Sequence, residues 1–383
     1  MRVSVEYLVS ALLFLALISI ITLILIPNII SYVIHVEEGQ LQVEAEKILT
    51  QILLSPGDPP DWGVSATYPY EIRVFGLARY KGLLYELDMN KLIRIYENSI
   101  ENITDKCLID VDNIARLLGI EGRYGFSLSL TPVLNVTIRI ANDSEYCFMI
   151  KVTTHEEIPV PNVNVTAIFL TAYIDHYGDE NATFYVRDQK FAVTDYNGVA
   201  YVDFSELSEE LADRKLVGWS LIIYADFYGI KSVASYSNDT TLFGIILSNY
   251  LYIGHVEEIL NVTGRHGGGA VHLHSAVALV TPESIETVVL SRVLPITPIG
   301  SARPYVIFEI EGLEDKALMA VFVIKNKGRY KLAVAYRVPL HFRVGVPLMT
   351  SSPVARGVHL RRIVLVEGYL YYLDFTLWRL SEW

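Results

Sequence analysis

Four histidines, His255, His266, His272 and His274, crowd around the run Gly267-Gly268-Gly269. On a strand, His272 and His274 would share one face. With His266 they are the chain's candidate zinc or copper ligands, since imidazole suits either metal. A tetrahedral site needs three or four donors at about 2.1 Å, and no cysteine or suitably spaced carboxylate completes this set. Surface or packed histidines are the simpler reading, and no metal or other cofactor is expected. The triple glycine lacks a following Lys-Ser/Thr, so it reads as a flexible loop rather than a phosphate cradle. Asp175 to Glu180, with His176 and Asp179, offers oxygens to calcium, but an ordinary acidic loop is the simpler reading. Neither a G-x-S-x-G elbow nor an H-E-x-x-H helix occurs, and scattered Ser, His and Asp define no nucleophile, base and orienter. The chain is expected to be non-enzymatic, with no catalytic residue.

Covalent modification is better represented than catalysis. Asn-x-Ser/Thr triplets occur at Asn102, Asn135, Asn142, Asn164, Asn181, Asn238 and Asn261, seven of only 15 asparagines. Each is an acceptor for N-linked sugar in an exported chain, and their joint excess points to a surface glycoprotein. Cys107 and Cys147 would form one disulfide in an oxidising exterior, or serve as two buried apolar residues. The 25 tyrosines would form sugar-binding or adhesive patches, or simply populate strands.

The element that would place these groups outside a cell lies at the N-terminus. From Tyr7 to Ile34 no side chain is charged, and about 20 apolar residues suffice to span a bilayer. Arg2 precedes the segment, while His35, Glu37 and Glu38 follow it. The positive flank is expected to stay cytoplasmic, with everything beyond residue 35 outside. The apolar run is too long for a cleaved secretory signal, and Pro27-Asn28 would kink its outer end. The helix should continue, because Ile34, Leu41, Ala45, Ile48 and Ile52 form a coiled-coil-like seam, with Glu37, Glu38, Glu44, Glu46 and Lys47 away from it. Ser55-Pro56-Gly57-Asp58-Pro59-Pro60 stops it. A helix of roughly 45 residues is about 70 Å long, half in lipid and half against protein.

The opening Arg2-Val3-Ser4-Val5-Glu6-Tyr7-Leu8 resembles the Q-x-S-x-E-x-x-x-L pattern of archaeal type IV pilin-like proteins. Ser4 and Glu6 match, whereas Arg2 stands in place of Gln and Ser10 in place of Leu. The resemblance implies processing or assembly roles for Arg2, Ser4 and Glu6. With Met1 removed, Glu6 becomes the fifth mature residue, where a neighbouring subunit's amine would offset its charge in lipid. The implied partners are the bilayer and, through the helix, like subunits or pilus machinery. Short phrases such as Trp62-Gly63, Phe75-Gly76 and Leu118-Gly119 are similar to ectodomains that follow pilin-like helices.

Length and composition agree with a large folded exterior. The 383 residues are 52% hydrophobic and 19% charged, with mean hydropathy +0.34, which excludes disorder and suggests two to three domains. With 31 Lys plus Arg against 43 Asp plus Glu, the net charge of −12 repels nucleic acid.

The expected class is α+β: a long N-terminal transmembrane and amphipathic helix, then mostly antiparallel β domains. The segments are 1–35 signal and transmembrane helix, 36–60 extracytoplasmic helix and stop, 61–156 a small α+β unit, 157–238 a sandwich, and 239–383 a β-rich domain. In 61–156, Asp88 caps a helix carrying Leu92 and Ile95, and Asp110 or Asp112 caps another ending at Gly119. Phe126, Leu128 and Leu130 alternate with serines as a strand. In 157–238, Val163 to Tyr173, Phe191 to Phe204 and Trp219 to Tyr228 read as strands. Thr194-Asp195-Tyr196-Asn197-Gly198-Val199-Ala200 resembles the hairpin of bacterial Ig-like and carboxypeptidase regulatory-like sandwiches, which are spacers or adhesive modules. In 239–383, Leu242 to Ile253, Ile285 to Val293, Tyr305 to Ile310 and a hairpin about Asn326-Lys327-Gly328 follow. A last hairpin turns near Gly368, and the C-terminal strands would return to cover the helix, making the sandwich an insertion. The expected function is a filament subunit or pilus-associated adhesin, or else an anchored binding or spacer module that does not polymerise, with an exported hydrolase a distant third.

Overall fold

The computed structural model describes residues 2–63, 71–95, 109–141, 146–174, 182–208, 211, 216–238, 243–247, 250–254, 272–281, 283–289, 306–310, 313, 317–326, 329–337, 342–345 and 357–380. Helix α1 (Arg2–Ile20), a π-helical turn (Ile21–Leu25) and helix α2 (Ile26–Leu54) follow one another without a break. The π turn is defined by the Ile26 N–H donating to Ile21 O. It lies immediately before Pro27, whose ring would meet the carbonyl four residues back and whose missing N–H cannot bond it. Widening the helix by one residue there accommodates both effects. The uninterrupted apolar helix expected from the sequence is therefore divided. Among the described residues no single helix is long and apolar enough to cross a membrane.

The seam of α2 forms from Leu41 onward as its period predicts, with Leu41, Ala45, Ile48 and Ile52 buried, joined by Leu49 and Leu53, while the side chain of Ile34 lies outside the described atoms. The helix ends at Leu54, and Gly57 turns the chain at φ +80°. A Cβ on Gly57 would lie 2.7 Å from both Trp62 Nε1 and Val74 O, so the close approach of those groups requires glycine. Asp88 caps α3 (Met89–Arg94), accepting from the N–H groups of Asn90 (2.9 Å) and Lys91 (3.3 Å). Asp110 caps α4 (Val111–Leu117), accepting from Asn113 N–H at 2.7 Å.

Among the described residues the remaining elements, apart from a 3-10 turn (Ser205–Leu207), are strands in four sheets, antiparallel but for one pair. The platform sheet runs β16 (Phe342–Gly345), β1 (Tyr124–Pro132), β18 (Tyr369–Arg379), β17 (Gly357–Val366). Phe126, Leu128 and Leu130 of β1 and Leu373, Phe375 and Leu377 of β18 enter one core with the α2 seam. The C-terminal hairpin thus flanks the N-terminal strand and covers the helix.

Two sheets form a sandwich. One runs β2 (Leu134–Ile140), β3 (Cys147–Thr154), β6 (Val199–Asp203), and the other β5 (Ala182–Val193), β4 (Asn164–Ile174), β7 (Leu216–Phe227), β8 (Ile230–Ser237). Their shared core holds Phe148, Phe169, Phe204 and Trp219, the Phe169 and Trp219 rings stacked at 5.4 Å. Sheet pairing crosses the segment boundary drawn at 156, since β3, itself paired with β2, pairs with β6 to complete this sandwich. The expected hairpin at 194–200 is corrected. The turn chemistry is present, with Asp195 Oδ1 accepting from Asn197 N–H (2.8 Å) and Val199 N–H (2.9 Å) and Gly198 at φ +70°. Yet β5 and β6 join different sheets, so the turn is a corner between sheets. An Asx turn reverses the chain locally and does not choose the partner of either flanking strand.

The fourth sheet runs β12 (Ile285–Val289), β11 (His272–Val280), β14 (Met319–Asn326), β15 (Arg329–Tyr336), β9 (Phe243–Leu247), β10 (Tyr250–Gly254), β13 (Val306–Glu309). Among the described strands, β9 and β15 alone pair in parallel. Leu242 to Ile253, read as one strand, is the antiparallel pair β9 and β10. Both faces are buried: Ala278, Val280, Val321 and Val323 join the platform core, while Leu273, Val277, Leu279 and Phe322 build a third.

Candidate functional site: the N-terminal helix and its platform

The helix changes character along its length. From Val9 to Leu23 the apolar side chains are exposed, and so is Tyr7. Leu12, Leu13, Phe14, Leu15, Leu17 and Ile18 are open at successive positions. At 100° per residue these cover every side of the rod. Thr22 Oγ1 donates to Ile18 O within the helix, which satisfies the hydroxyl without solvent. No soluble helix gains by exposing such a surface, and a patch this large marks a lipid or protein contact.

The second half is docked through one face and clamped by charge at its flanks. Arg362 of β17 donates from one guanidinium nitrogen to both carboxylate oxygens of Glu46 (2.8 and 2.7 Å), a charge-assisted contact. Arg379 at the end of β18 reaches Glu37 at 3.6 Å and Gln40 Oε1 at 3.5 Å.

Buried cations hold the segment after the helix. Lys91 is fully buried, its Nζ donating to Pro56 O and Ala78 O (2.8 Å each), 3.9 Å from Asp88 and 5.8 Å from the Trp62 ring. Burial, opposed by Asp88 and Asp61, brings its ammonium down to about 8. Arg94, also buried, donates to Trp62 O. Near the C-terminal turn, Arg79 bonds Glu86 (3.0 Å) and Glu367 (3.1 Å). Burial raises the Glu367 carboxyl, against the pull of Arg79 and Arg337.

Arg2, Ser4 and Glu6 lie on the first turns of α1, and their side chains are outside the described atoms. Asn135 is half-buried in β2, Asn164 is exposed at the start of β4, and Asn238 is exposed after β8, its Oδ1 accepting from Trp219 N–H at 2.9 Å. Asn102, Asn142, Asn181 and Asn261 fall outside the described residues, as do His255, His266, Gly267 to Gly269 and 175–180. His272 and His274 both belong to β11, with His272 opposite Lys325 of β14. Among the described residues no group of three or more His, Cys, Asp or Glu is placed to hold a metal. Cys147 is half-buried in β3, opposite Asp203. Burial, then Asp203, raises its thiol. Cys107 is outside the described residues.

No protein-family model matches the chain, and no curated protein matches it.

Proposed function

We propose that the chain is a non-enzymatic, single-pass protein of the archaeal cell surface, similar to type IV pilins, acting as a minor filament subunit or pilus-associated adhesin. The observation that carries this reading is the rod from Tyr7 to Leu23, apolar and exposed on all sides, continuous with a helix whose own seam is buried. The π turn interrupts the α-helical pattern without leaving the helical path. Together, α1, the π turn and the start of α2 supply the roughly 20 residues that a bilayer demands. The match of Ser4 and Glu6 to the pilin-like pattern supports the finer assignment, and the sequons support an exterior location.

Fractionation of expressing cells tests the anchor. The full chain is expected in the membrane pellet after alkaline carbonate extraction, and a variant lacking residues 2–26 in the supernatant. Recovery of the full chain as freely soluble protein without detergent refutes the reading. A tether that does not polymerise is the second reading. It is favoured because α2 is already covered by its own platform, leaving only the α1 half to meet like subunits. Terminal sequencing of native protein separates the two, since retained Met1 argues against assembly.

A further inference from the structure

We propose that a cleft on the outer face of the β5-β4-β7-β8 sheet is a binding site for a single saccharide ring. Strand register builds its base, with Thr166 opposite Tyr224, Ile168 opposite Gln189, and Asp226 opposite Lys231. These alternate with Val165, Ala167, Ile223 and Ala225, which point into the sandwich core, so the first set faces outward. Glu283, in the turn before β12, and Tyr369, at the start of β18, close the opposite side. The cleft is open to solvent on one side and its volume is about 300 Å³, the lower end of the range for small-molecule sites.

The walls are preorganised. The Tyr224 hydroxyl lies within donating distance of Thr281 O (3.1 Å) and Ser284 O (3.0 Å). Thr281 Oγ1 holds that turn by accepting from Ser284 N–H at 3.0 Å. Asp226 Oδ1 accepts from Gly229 N–H at 3.0 Å, and Lys231 lies 3.9 Å from Glu283 across the opening. Burial holds the phenols of Tyr224 and Tyr369 above their ordinary range, so both remain neutral donors.

The lining selects the ligand class. Lys231 alone stands against Asp226 and Glu283, so there is no excess of positive charge to hold phosphate or sulfate. Ile168 and the two phenol rings give an apolar surface too small for an acyl chain. Thr166 and Gln189 add neutral hydrogen-bonding groups. Hydroxyls around a compact ring with an apolar C–H face match that combination, which aromatic and polar groups together recognise. A second observation points the same way. The sequon Asn164-Val165-Thr166 runs into the cleft, since Thr166 lines it and exposed Asn164 stands opposite Asp226 on the same face. The saccharide has two possible sources, an N-linked glycan on Asn164 itself or a glycan of another molecule.

The test uses the full chain in detergent, made in a bacterium without N-glycosylation. Saturation-transfer NMR is run with methyl α-mannoside, methyl α-glucoside and methyl N-acetyl-β-glucosaminide, and with glycine as a zwitterionic control. At least one glycoside is expected to bind, with affinity falling about tenfold in Asp226→Asn and in Gln189→Ala, the loss of one hydrogen bond to a charged or polar partner. Gln189 is exposed, so its variant leaves folding intact even if the aspartate variant does not. Binding of no glycoside, binding undiminished in both variants, or binding of glycine alone overturns the proposal. Native glycosylated chain then assigns the source. A cleft that binds free glycoside only after Asn164→Gln is filled by its own glycan, and one that binds in both forms serves an external glycan. Either result upholds the saccharide site.

Discussion

Replacing Lys91 with methionine separates the charge of a buried lysine from its volume. Lys91 loses its proton at about 8 in the fold against 10.5 in an open chain. The unfolded chain therefore binds the extra proton across that window, and stability rises with pH from about 8 to 10.5 before levelling. At about 1.4 kcal/mol per unit, the rise is on the order of 3 kcal/mol, an upper figure because partial hydration of the ammonium reduces it. The hydrogen bonds do not oppose this, since a neutral amine still has two N–H groups for Pro56 O and Ala78 O. Urea unfolding of the full chain in mild detergent, at steps from pH 7 to 11, provides the assay. The stability difference between wild type and Lys91→Met should shift towards wild type by that amount between about pH 8 and 10.5. A difference that stays flat refutes the claim that Lys91 is held in a site that disfavours its charge.

Gly198→Ala places a Cβ 2.4 Å from Val152 O at φ +70° and should destabilise by about 3 kcal/mol in thermal or urea unfolding. Gly229→Ala, at φ +88° with nothing within 4 Å, should lose only about 1 kcal/mol, so the pair isolates the steric contact at the corner. A double-mutant cycle of Glu46→Ala and Arg362→Ala should return a coupling of about 0.5–1 kcal/mol, weakened by salt, because both groups are partly exposed. A coupling near zero would assign the clamp no part in seating α2. Free Cys147 should react slowly with alkylating reagents at neutral pH in the full chain, because burial and Asp203 raise its thiol. Mass spectrometry of timed samples reads the rate, and rapid labelling counts against the placement.

Local features of the chain were legible in the sequence where a short-range rule governs them. The spacing of Leu41, Ala45, Ile48 and Ile52 identified the buried face of α2, and Asp88 and the pair Asp110 or Asp112 marked two helix starts, because periodicity and capping act within a turn or two. The stop at Ser55-Pro56-Gly57 likewise followed from residue type. Long-range choices were not visible. Nothing in the residues 194–200 states that β5 and β6 part into different sheets, and nothing in Tyr124–Pro132 names β18 as its neighbour. The π turn follows from Pro27 only once the helix is known to run through it. The cleft was hidden because its walls, Thr166, Tyr224, Glu283 and Tyr369, come from strands and turns far apart in sequence. Its one local signal was the sequon at Asn164.

The place of β18 between β1 and β17 has a consequence for biosynthesis. The sheet that shields α2 has its middle strand supplied by residues 369–379. Until these leave the ribosome, β1 lacks its main neighbour and the core around the α2 seam lacks Leu373, Phe375 and Leu377. Helix α2 must therefore wait, through the making of the whole sandwich, with part of its greasy flank uncovered.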